Sequence, residues 1–275
     1  MVNFMDIGGG AARAVYRLHN ALLVEGIESQ MLVQLKSSDD FTVIGPTTRI
    51  QKLIGKLQIT LDNLPVLLYK NRTKTLFSPN WIPFSSIVNR INAINPDLVH
   101  LHWIAGGMMR IEDMVKIKAP IVWSLHDNWG FTGGCHIMWE CEKYKEACGA
   151  CPRLGSSKEN DLSRAVFNRK QKTFSKLKNM TVIGLSHWLA NCAKESSLFK
   201  KNHVVCLPNL INAKIFAPLD KLEARKLLNL PQDKKLVLFG ALSATSDINK
   251  GFNKLRETSK NINTPNVELL VFGSS

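Results

Sequence analysis

Two nearly continuous apolar segments, 97–103 and 120–125, constrain the fold most strongly. They read DLVHLHW and PIVWSL, and a short helical segment is predicted between them near 110–115. Parallel strands that are buried on both faces have such sequences. Two consecutive strands that are joined through a helix form a right-handed parallel βαβ unit. The sequence therefore predicts an α/β protein built on a parallel sheet.

Both segments end in side chains that can take part in chemistry. His102 and Trp103 close the first, and the second runs directly into His126, Asp127 and Trp129. Ligands of open α/β sheets bind outside the carboxyl ends of the strands. A histidine at that position is a candidate functional residue, because its charge changes near physiological pH.

A glycine run separates the first predicted strand from the first predicted helix. Residues 2–6 are typical of a strand end, Gly8, Gly9 and Gly10 follow, and apolar residues recur at helical spacing over 11–25. Such a loop can cradle phosphate, because glycine lets the backbone come close and the helix N-terminus offers free N–H groups. The same glycines also suit a turn that needs only their backbone freedom.

A cysteine-rich segment, 133–152, follows the second apolar strand. The N-terminus shows no secretion signal, so the expected compartment is a reducing cytoplasm, where clustered cysteines are metal-bound or free more often than they form disulfides. A CxxC pair with two further thiols is able to hold a structural zinc ion that would fix the loop after His126. Free thiols and disulfides are the alternatives, and His136 could replace one thiol as a ligand. The cysteines are Cys135, Cys141, Cys148 and Cys151.

The charge balance suits either an anionic partner or a solvated basic surface with no dedicated partner. The chain has 36 basic and 22 acidic residues, a net charge of +14, and residues 49–90 contain seven basic residues against one acid, Asp62. Such surfaces attract nucleic acid, anionic lipid or phosphorylated molecules. Aromatic residues are not interleaved with the basic runs as base stacking would need, which argues against nucleic acid.

Residues 49–61 are predicted to form a basic amphipathic helix. Leu53, Ile54, Leu57 and Leu61 share one face. A basic helix with exposed leucines suits peripheral contact with an anionic membrane. The alternative is a helix that packs its apolar face into the core and exposes its polar face to solvent, which is the commoner arrangement in soluble proteins.

A second α/β unit begins after a linker at 216–218. Strands are predicted at 235–240 and 267–272, with Lys250 and Gly251 opening the helix between them. Two parallel strands cannot cover both faces of a sheet. We therefore expect one complete domain, 1–215, and the start of a second domain, 216–275.

Together these motifs resemble those of retaining glycosyltransferases of the family-4 type, and most closely the transferases of colanic acid and other exopolysaccharides. The resemblance implies the two-domain GT-B fold, with Rossmann-like parallel sheets flanked by helices. The matching segments are DIGGGAARAVYRLHNALL (6–23), DLVHLHW (97–103), SLHDNWGFTGGCH (124–136), CGACP (148–152), LSHWLANCAKESSLF (185–199), LPNLINAKIFAP (207–218) and VLFGALSATSDINKGFNKL (237–255).

The resemblance also implies a reaction and roles for residues. The family transfers a sugar from a nucleotide sugar to an acceptor hydroxyl with retention of configuration, and fixed positive groups and backbone donors stabilise the leaving diphosphate. Gly8–Gly10 and Lys250 match the phosphate-binding positions, and His126 and Asp127 match the catalytic ones. No catalytic metal is implied.

The acceptor implied by the resemblance is a saccharide or a lipid-linked saccharide, for which His102, Trp103 and Trp129 are the candidate contacts. The family's Glu-x7-Glu motif would fall beyond residue 275, so weak or absent transferase activity is expected of this chain alone. A non-catalytic fragment with an acceptor-binding domain is one alternative function, and a zinc-containing nucleic-acid-binding protein is another.

Overall fold

The computed structural model describes residues 1–83, 85–262 and 264–273. The chain forms two compact units, Met1–Ile211 and Asn212–Ser275. None of the helices in the described part of the chain has the length and hydropathy that crossing a bilayer requires.

Unit 1 (Met1–Ile211) is built on a seven-stranded sheet. Its strands are β1 (Val2–Met5), β2 (Met31–Leu35), β3 (Val43–Ile44), β4 (Val99–Leu101), β5 (Ile121–Leu125), β6 (Met180–Gly184) and β7 (His203–Cys206). They lie in the order β3-β2-β1-β4-β5-β6-β7, and each neighbouring pair is parallel. The predicted α/β fold with a Rossmann-like parallel sheet is confirmed.

Helices flank this sheet. They are α1 (Gly9–Val24), α2 (Arg49–Leu67), α3 (Ile87–Ile94), α4 (Leu162–Phe174) and α5 (His187–Glu195). Side-chain caps fix where three of them begin: Thr48 accepts from the N–H of Gln51 at the start of α2, Asp161 from that of Arg164 at the start of α4, and Ser186 from that of Leu189 at the start of α5. The segment predicted as helical near 110–115 is a 3-10 helix, Ile111–Lys116.

The largest aromatic cluster of the core lies against β5. The Trp123 ring meets Phe174 and Phe199 edge-on at centroid distances of 5.6 and 5.8 Å, and the two phenylalanine rings are stacked at 5.4 Å. Trp123 is 1% exposed. Because such pairs bury large areas and prefer defined geometries, they hold the carboxyl end of β5 in place.

Helix α2 exposes its leucine face, whereas a helix of a soluble protein more often buries its apolar face in the core. The core-helix alternative would bury its leucines, whereas Leu53 and Leu57 are 58% and 50% exposed. The buried positions are instead Gly55, Gln58, Asp62 and Val66. The small and polar face packs inward because Gln34 Nε2 donates to the carbonyl of Gly55 at 2.9 Å.

Unit 2 (Asn212–Ser275) contains the second predicted sheet. β8 (Lys235–Gly240) pairs in parallel with β9 (Val267–Phe272), as the sequence predicts. Helix α6 (Lys221–Leu227) precedes β8, and α7 (Phe252–Ser259) connects the two strands.

Candidate functional site

Three strand ends of unit 1 bring the predicted polar residues together. The backbone N–H of His102 donates to the carbonyl of Val2 at 3.0 Å, and that of Phe4 donates to the carbonyl of Trp103 at 2.9 Å. His126 follows β5, the other neighbour of β4. The strand order reverses between β1 and β4. This switch point is where ligands bind in open α/β sheets, so we call the edge formed by β1, β4 and β5 the switch-point edge.

The glycine loop (Gly8–Gly10) lies at this edge, directly after β1. A Cβ atom added at Gly9 or Gly10 would meet no atom within 4 Å, so the backbone here is open to approach. Gly9 has a φ of +84°, which favours glycine. No side chain caps the start of α1 at Gly8. The arrangement leaves the N–H groups of the first turn accessible to an anion.

Asp6 holds the loop in place and was not found from the sequence. Its carboxylate accepts the backbone N–H groups of Ser37 at 3.0 Å and Ser38 at 2.7 Å, which ties the end of β1 to the segment after β2. Burial alone would raise the pKa of Asp6, but these N–H donors outweigh it and keep the pKa below its usual value.

Three histidines line up across the ends of β4 and β5. The His102 and His126 side chains are joined by a hydrogen bond of 3.1 Å between Nδ1 and Nε2, and the His100 ring lies 4.1 Å from the His102 ring. Burial lowers the pKa of His126 and of His100 to about 4, and it lowers the pKa of His102 well below its ordinary value. All three are therefore neutral at pH 7, so they exchange hydrogen bonds there without carrying charge.

Asp127 is the centre of a hydrogen-bond network. Its Oδ2 accepts from Trp103 Nε1 at 2.8 Å and pairs with His136 Nδ1 at 2.7 Å, while its Oδ1 accepts the backbone N–H of Trp129 at 2.8 Å. Burial would raise the pKa of Asp127, but His136 and the donated hydrogen bonds hold it below its ordinary value. With both oxygens engaged, the carboxylate is suited to positioning its neighbours.

The contacts continue from Asp127 through His136 to Ser78. His136 Nε2 lies 2.9 Å from the hydroxyl oxygen of Ser78. A carboxylate, an imidazole and a hydroxyl that contact one another in this order match the arrangement of a nucleophilic triad. Ser78 is 2% exposed and His136 4%, however, so the hydroxyl cannot reach a substrate. The three side chains therefore hold the loop after β5 against the segment around residue 78.

The two predicted tryptophans differ in exposure. Trp103 is partly exposed at the switch-point edge, and its ring meets Phe4 edge-on. Trp129 is 3% exposed, and its Nε1 donates to the carbonyl of Ser78 at 2.8 Å. The ammonium of Lys170 lies 3.6 Å above the Trp129 ring. Trp129 is thus part of the core beneath the edge, whereas Trp103 faces it.

The four clustered cysteines line one cavity of about 20 Å³. All of them are free thiols, and Cys141 is the one that is not buried. Burial raises the pKa of Cys135 and of Cys148 to about 12. Among the described residues, no three histidine, cysteine, aspartate or glutamate side chains are already positioned to hold a metal. The zinc site therefore stays a prediction.

Two groups beside the cysteine cavity would stabilise a negatively charged sulfur, although burial outweighs them in the free thiols. The backbone N–H of Gly133 donates to Cys148 Sγ at 3.1 Å. Lys170 is fully buried, and its ammonium donates to the carbonyls of Trp129 and Thr132. Burial lowers the pKa of Lys170 to about 7, while the nearby thiols of Cys148 and Cys135 act in the opposite direction.

Lys250, the predicted phosphate ligand, lies in unit 2. It is exposed at the end of a 3-10 helix, Ile248–Lys250. Gly251 follows with a φ of +79° and opens α7. Within unit 2 this places a cation in the loop between β8 and α7, at the carboxyl end of a parallel strand.

The fold and the switch-point edge together define an α/β domain of the Rossmann-like kind found in GT-B glycosyltransferases. Among curated proteins, the chain is similar to WcaC of Escherichia coli (strain K12), whose name assigns it to colanic acid biosynthesis as a glycosyl transferase. The two are 26% identical over 174 residues, a match that covers 57% of this chain and 40% of WcaC. The chain thus spans about two fifths of the length of that relative. No family model matches the chain.

Proposed function

We propose that this chain is part of a retaining glycosyltransferase that moves a sugar from a nucleotide sugar to an acceptor hydroxyl in exopolysaccharide synthesis. The observation that carries the proposal is that the open glycine loop and the His102–His126 pair follow neighbouring parallel strands at the switch-point edge. The similarity to WcaC supports the same reaction class, and its name supports a role in extracellular polysaccharide synthesis.

His126 is proposed to contact the donor sugar. Its Nε2 is engaged by His102, and no hydrogen bond to its Nδ1 is found in the described part of the chain. Because burial lowers its pKa to about 4, the imidazole is neutral at pH 7 and offers a hydrogen bond to a sugar hydroxyl without an opposing charge. His102 is itself buried, so its proposed role is to hold His126 through their hydrogen bond of 3.1 Å.

The glycine loop is proposed to stabilise the leaving diphosphate, and Lys250 is proposed separately as a phosphate-binding cation of unit 2. Negative charge grows on the diphosphate as the glycosidic bond breaks, and preorganised N–H groups and cations lower the free energy of that transition state. The first turn of α1 supplies the N–H groups. Lys250 is exposed in unit 2, where a cation would favour a phosphate group, and we propose that the reaction uses no catalytic metal.

Asp127 and Trp103 are proposed to position the site. Asp127 holds Trp103 through the indole N–H and fixes the loop that carries His126. Trp103 then presents an aromatic surface at the edge, which is a common way to pack against a sugar ring. The proposed acceptor is a saccharide or a lipid-linked saccharide.

The test is a transfer assay with a panel of UDP- and GDP-linked hexoses and a lipid extract of a polysaccharide-producing bacterium as acceptor. Release of nucleoside diphosphate and incorporation of labelled sugar are measured together. His126→Gln should lower the rate by about 100-fold or more, the size of effect expected for a positioned catalytic group. His187→Gln, at an exposed histidine of α5, is the matched control.

Two results would contradict the proposal. One is the absence of binding of every nucleotide sugar in the panel. The other is a His126→Gln rate equal to that of His187→Gln.

A further inference from the structure

Helix α2 presents an apolar stripe to solvent. The stripe residues lie three or four positions apart, which places them on one side of the helix, and their exposed fractions range from 42% to 82%. We call this set the α2 stripe: Ile50, Leu53, Ile54, Leu57, Leu61, Leu64 and Leu68. A contiguous exposed apolar surface of this kind marks an interaction site.

The rotation of α2 about its axis is fixed by contacts on its inner face. Gln34 donates to the carbonyl of Gly55 at 2.9 Å, and Asp62 Oδ1 accepts the backbone N–H of Trp81 at 3.2 Å. A Cβ atom added at Gly107 would lie 2.7 Å from the carbonyl oxygen of Gln58, so the backbones are in close contact there. The α2 stripe cannot turn inward without breaking these contacts.

Basic residues flank the α2 stripe. Asp62 is the only acid from residue 49 to residue 74, and it is buried. The exposed basic side chains nearby are Arg49, Lys52, Lys56, Lys70 and Lys74. Apolar and cationic side chains along one helix are complementary to the acyl chains and headgroups of an anionic bilayer.

We propose that α2 docks unit 1 on the surface of an anionic phospholipid membrane, with the helix axis in the membrane plane. At 1.5 Å per residue the 19-residue helix is about 28 Å long, so the α2 stripe enters the headgroup region along its whole length. The helix lies on the bilayer and does not cross it, in agreement with its lysines and its polar inner face.

The charges favour a membrane over a second copy of this chain. A dimer through the α2 stripe would bring two sets of lysines and arginines together, and like charges repel. An anionic lipid surface instead attracts every one of them. Docking by this face does not require the proposed transferase activity, and it is measured without a sugar donor.

A groove of about 630 Å³ extends from the carboxyl end of α2 toward the switch-point edge. Its lining includes Lys70, Arg72 and Lys74, and also Gly106. Gly106 lies beside the Trp103 ring. If the proposed function holds, a membrane-held acceptor with an anionic headgroup would enter by this groove.

The test is co-sedimentation of the whole chain with vesicles of phosphatidylcholine alone and of phosphatidylcholine mixed with phosphatidylglycerol. Binding is expected to the mixed vesicles, with weakening as salt is raised. Leu57→Glu should lower the partition coefficient by at least about 10-fold, because it removes apolar contact and adds a repelled charge. Leu98→Glu is the matched control, since Leu98 is also 50% exposed and lies before β4.

Three outcomes would overturn the proposal. The first is no binding to phosphatidylglycerol vesicles by the wild-type chain. The second is equal loss of binding in Leu57→Glu and Leu98→Glu. The third is a dimer in solution that Leu57→Glu dissociates, which would assign the α2 stripe to a second copy. Circular dichroism of both variants checks that each is folded.

Discussion

Replacing Asp127 by asparagine tests the network that supports the switch-point edge. The side chain keeps its shape but loses its charge and one acceptor oxygen. Asp127 accepts from three N–H groups, those of Trp103, His136 and Trp129. An asparagine in either orientation turns its NH₂ group toward at least one of these donors, so one buried N–H loses its partner.

The magnitude follows from those contacts. The side chain of Asp127 is 23% exposed, so water compensates only in part. An unsatisfied buried donor costs about 1–3 kcal/mol, and the remaining hydrogen bonds lose their charge-assisted strength. We expect Asp127→Asn to lower the free energy of unfolding of unit 1 by about 3 kcal/mol, whereas Asp39→Asn, at an exposed aspartate of the same unit, should change it by less than about 0.5 kcal/mol.

Tryptophan fluorescence during urea unfolding measures this effect in unit 1 alone, because all six tryptophans lie there. The loss of unfolding free energy in Asp127→Asn should be largest at neutral pH. It should shrink as the pH falls through the lowered pKa of Asp127, since the protonated wild-type carboxyl then resembles the amide. A deficit equal to that of Asp39→Asn, or one independent of pH down to pH 3, would refute the assignment.

Three further predictions concern stability and metal content. Asp62→Asn should raise the free energy of unfolding at pH 7 by up to about 3 kcal/mol. Burial raises the pKa of Asp62 from 3.8 to about 6, so the wild type loses stability as the pH rises through that interval. Urea unfolding at pH 4 and pH 7 checks the sign, and no gain in stability at pH 7 would contradict the prediction. Gly133→Ala should cost at least about 2 kcal/mol in the same assay, since the new Cβ would lie 2.7 Å from Cys148 Cβ, and wild-type stability would contradict the close packing. Protein purified without chelator should carry about one zinc per chain by elemental analysis, and Cys148→Ser should lose it; less than about 0.2 zinc in the wild type would reject the metal site.

The sequence predicts the sheet well because the signal is local. The segments DLVHLHW and PIVWSL are short and largely apolar, which is typical of strands that are buried on both faces. They form β4 and β5, and the residues that follow them meet at one edge because parallel neighbours place their carboxyl ends together. The same reasoning finds β8 and β9 in unit 2.

The parts that the sequence does not predict depend on contacts between distant residues. The periodicity of α2 shows two faces but not which one is inside, and here Gln58 and Asp62 are buried while the leucines are exposed. The pairing of Ser78 with His136 spans 58 residues. Nothing near Ser78 in the sequence marks it as a partner, because its position depends on an isolated bridge between Phe77 and Cys135.

The most direct test of the central claim is the substitution Gly10→Ala, with stability and sugar transfer measured on the same protein. A Cβ atom at this position meets no atom within 4 Å, and alanine favours the helix by about 1 kcal/mol over glycine. If the glycine loop receives the donor diphosphate, unfolding free energy should be unchanged or higher while transfer falls by at least about 10-fold, because the methyl group occupies the space of the ligand. Unchanged transfer at unchanged stability would contradict the account.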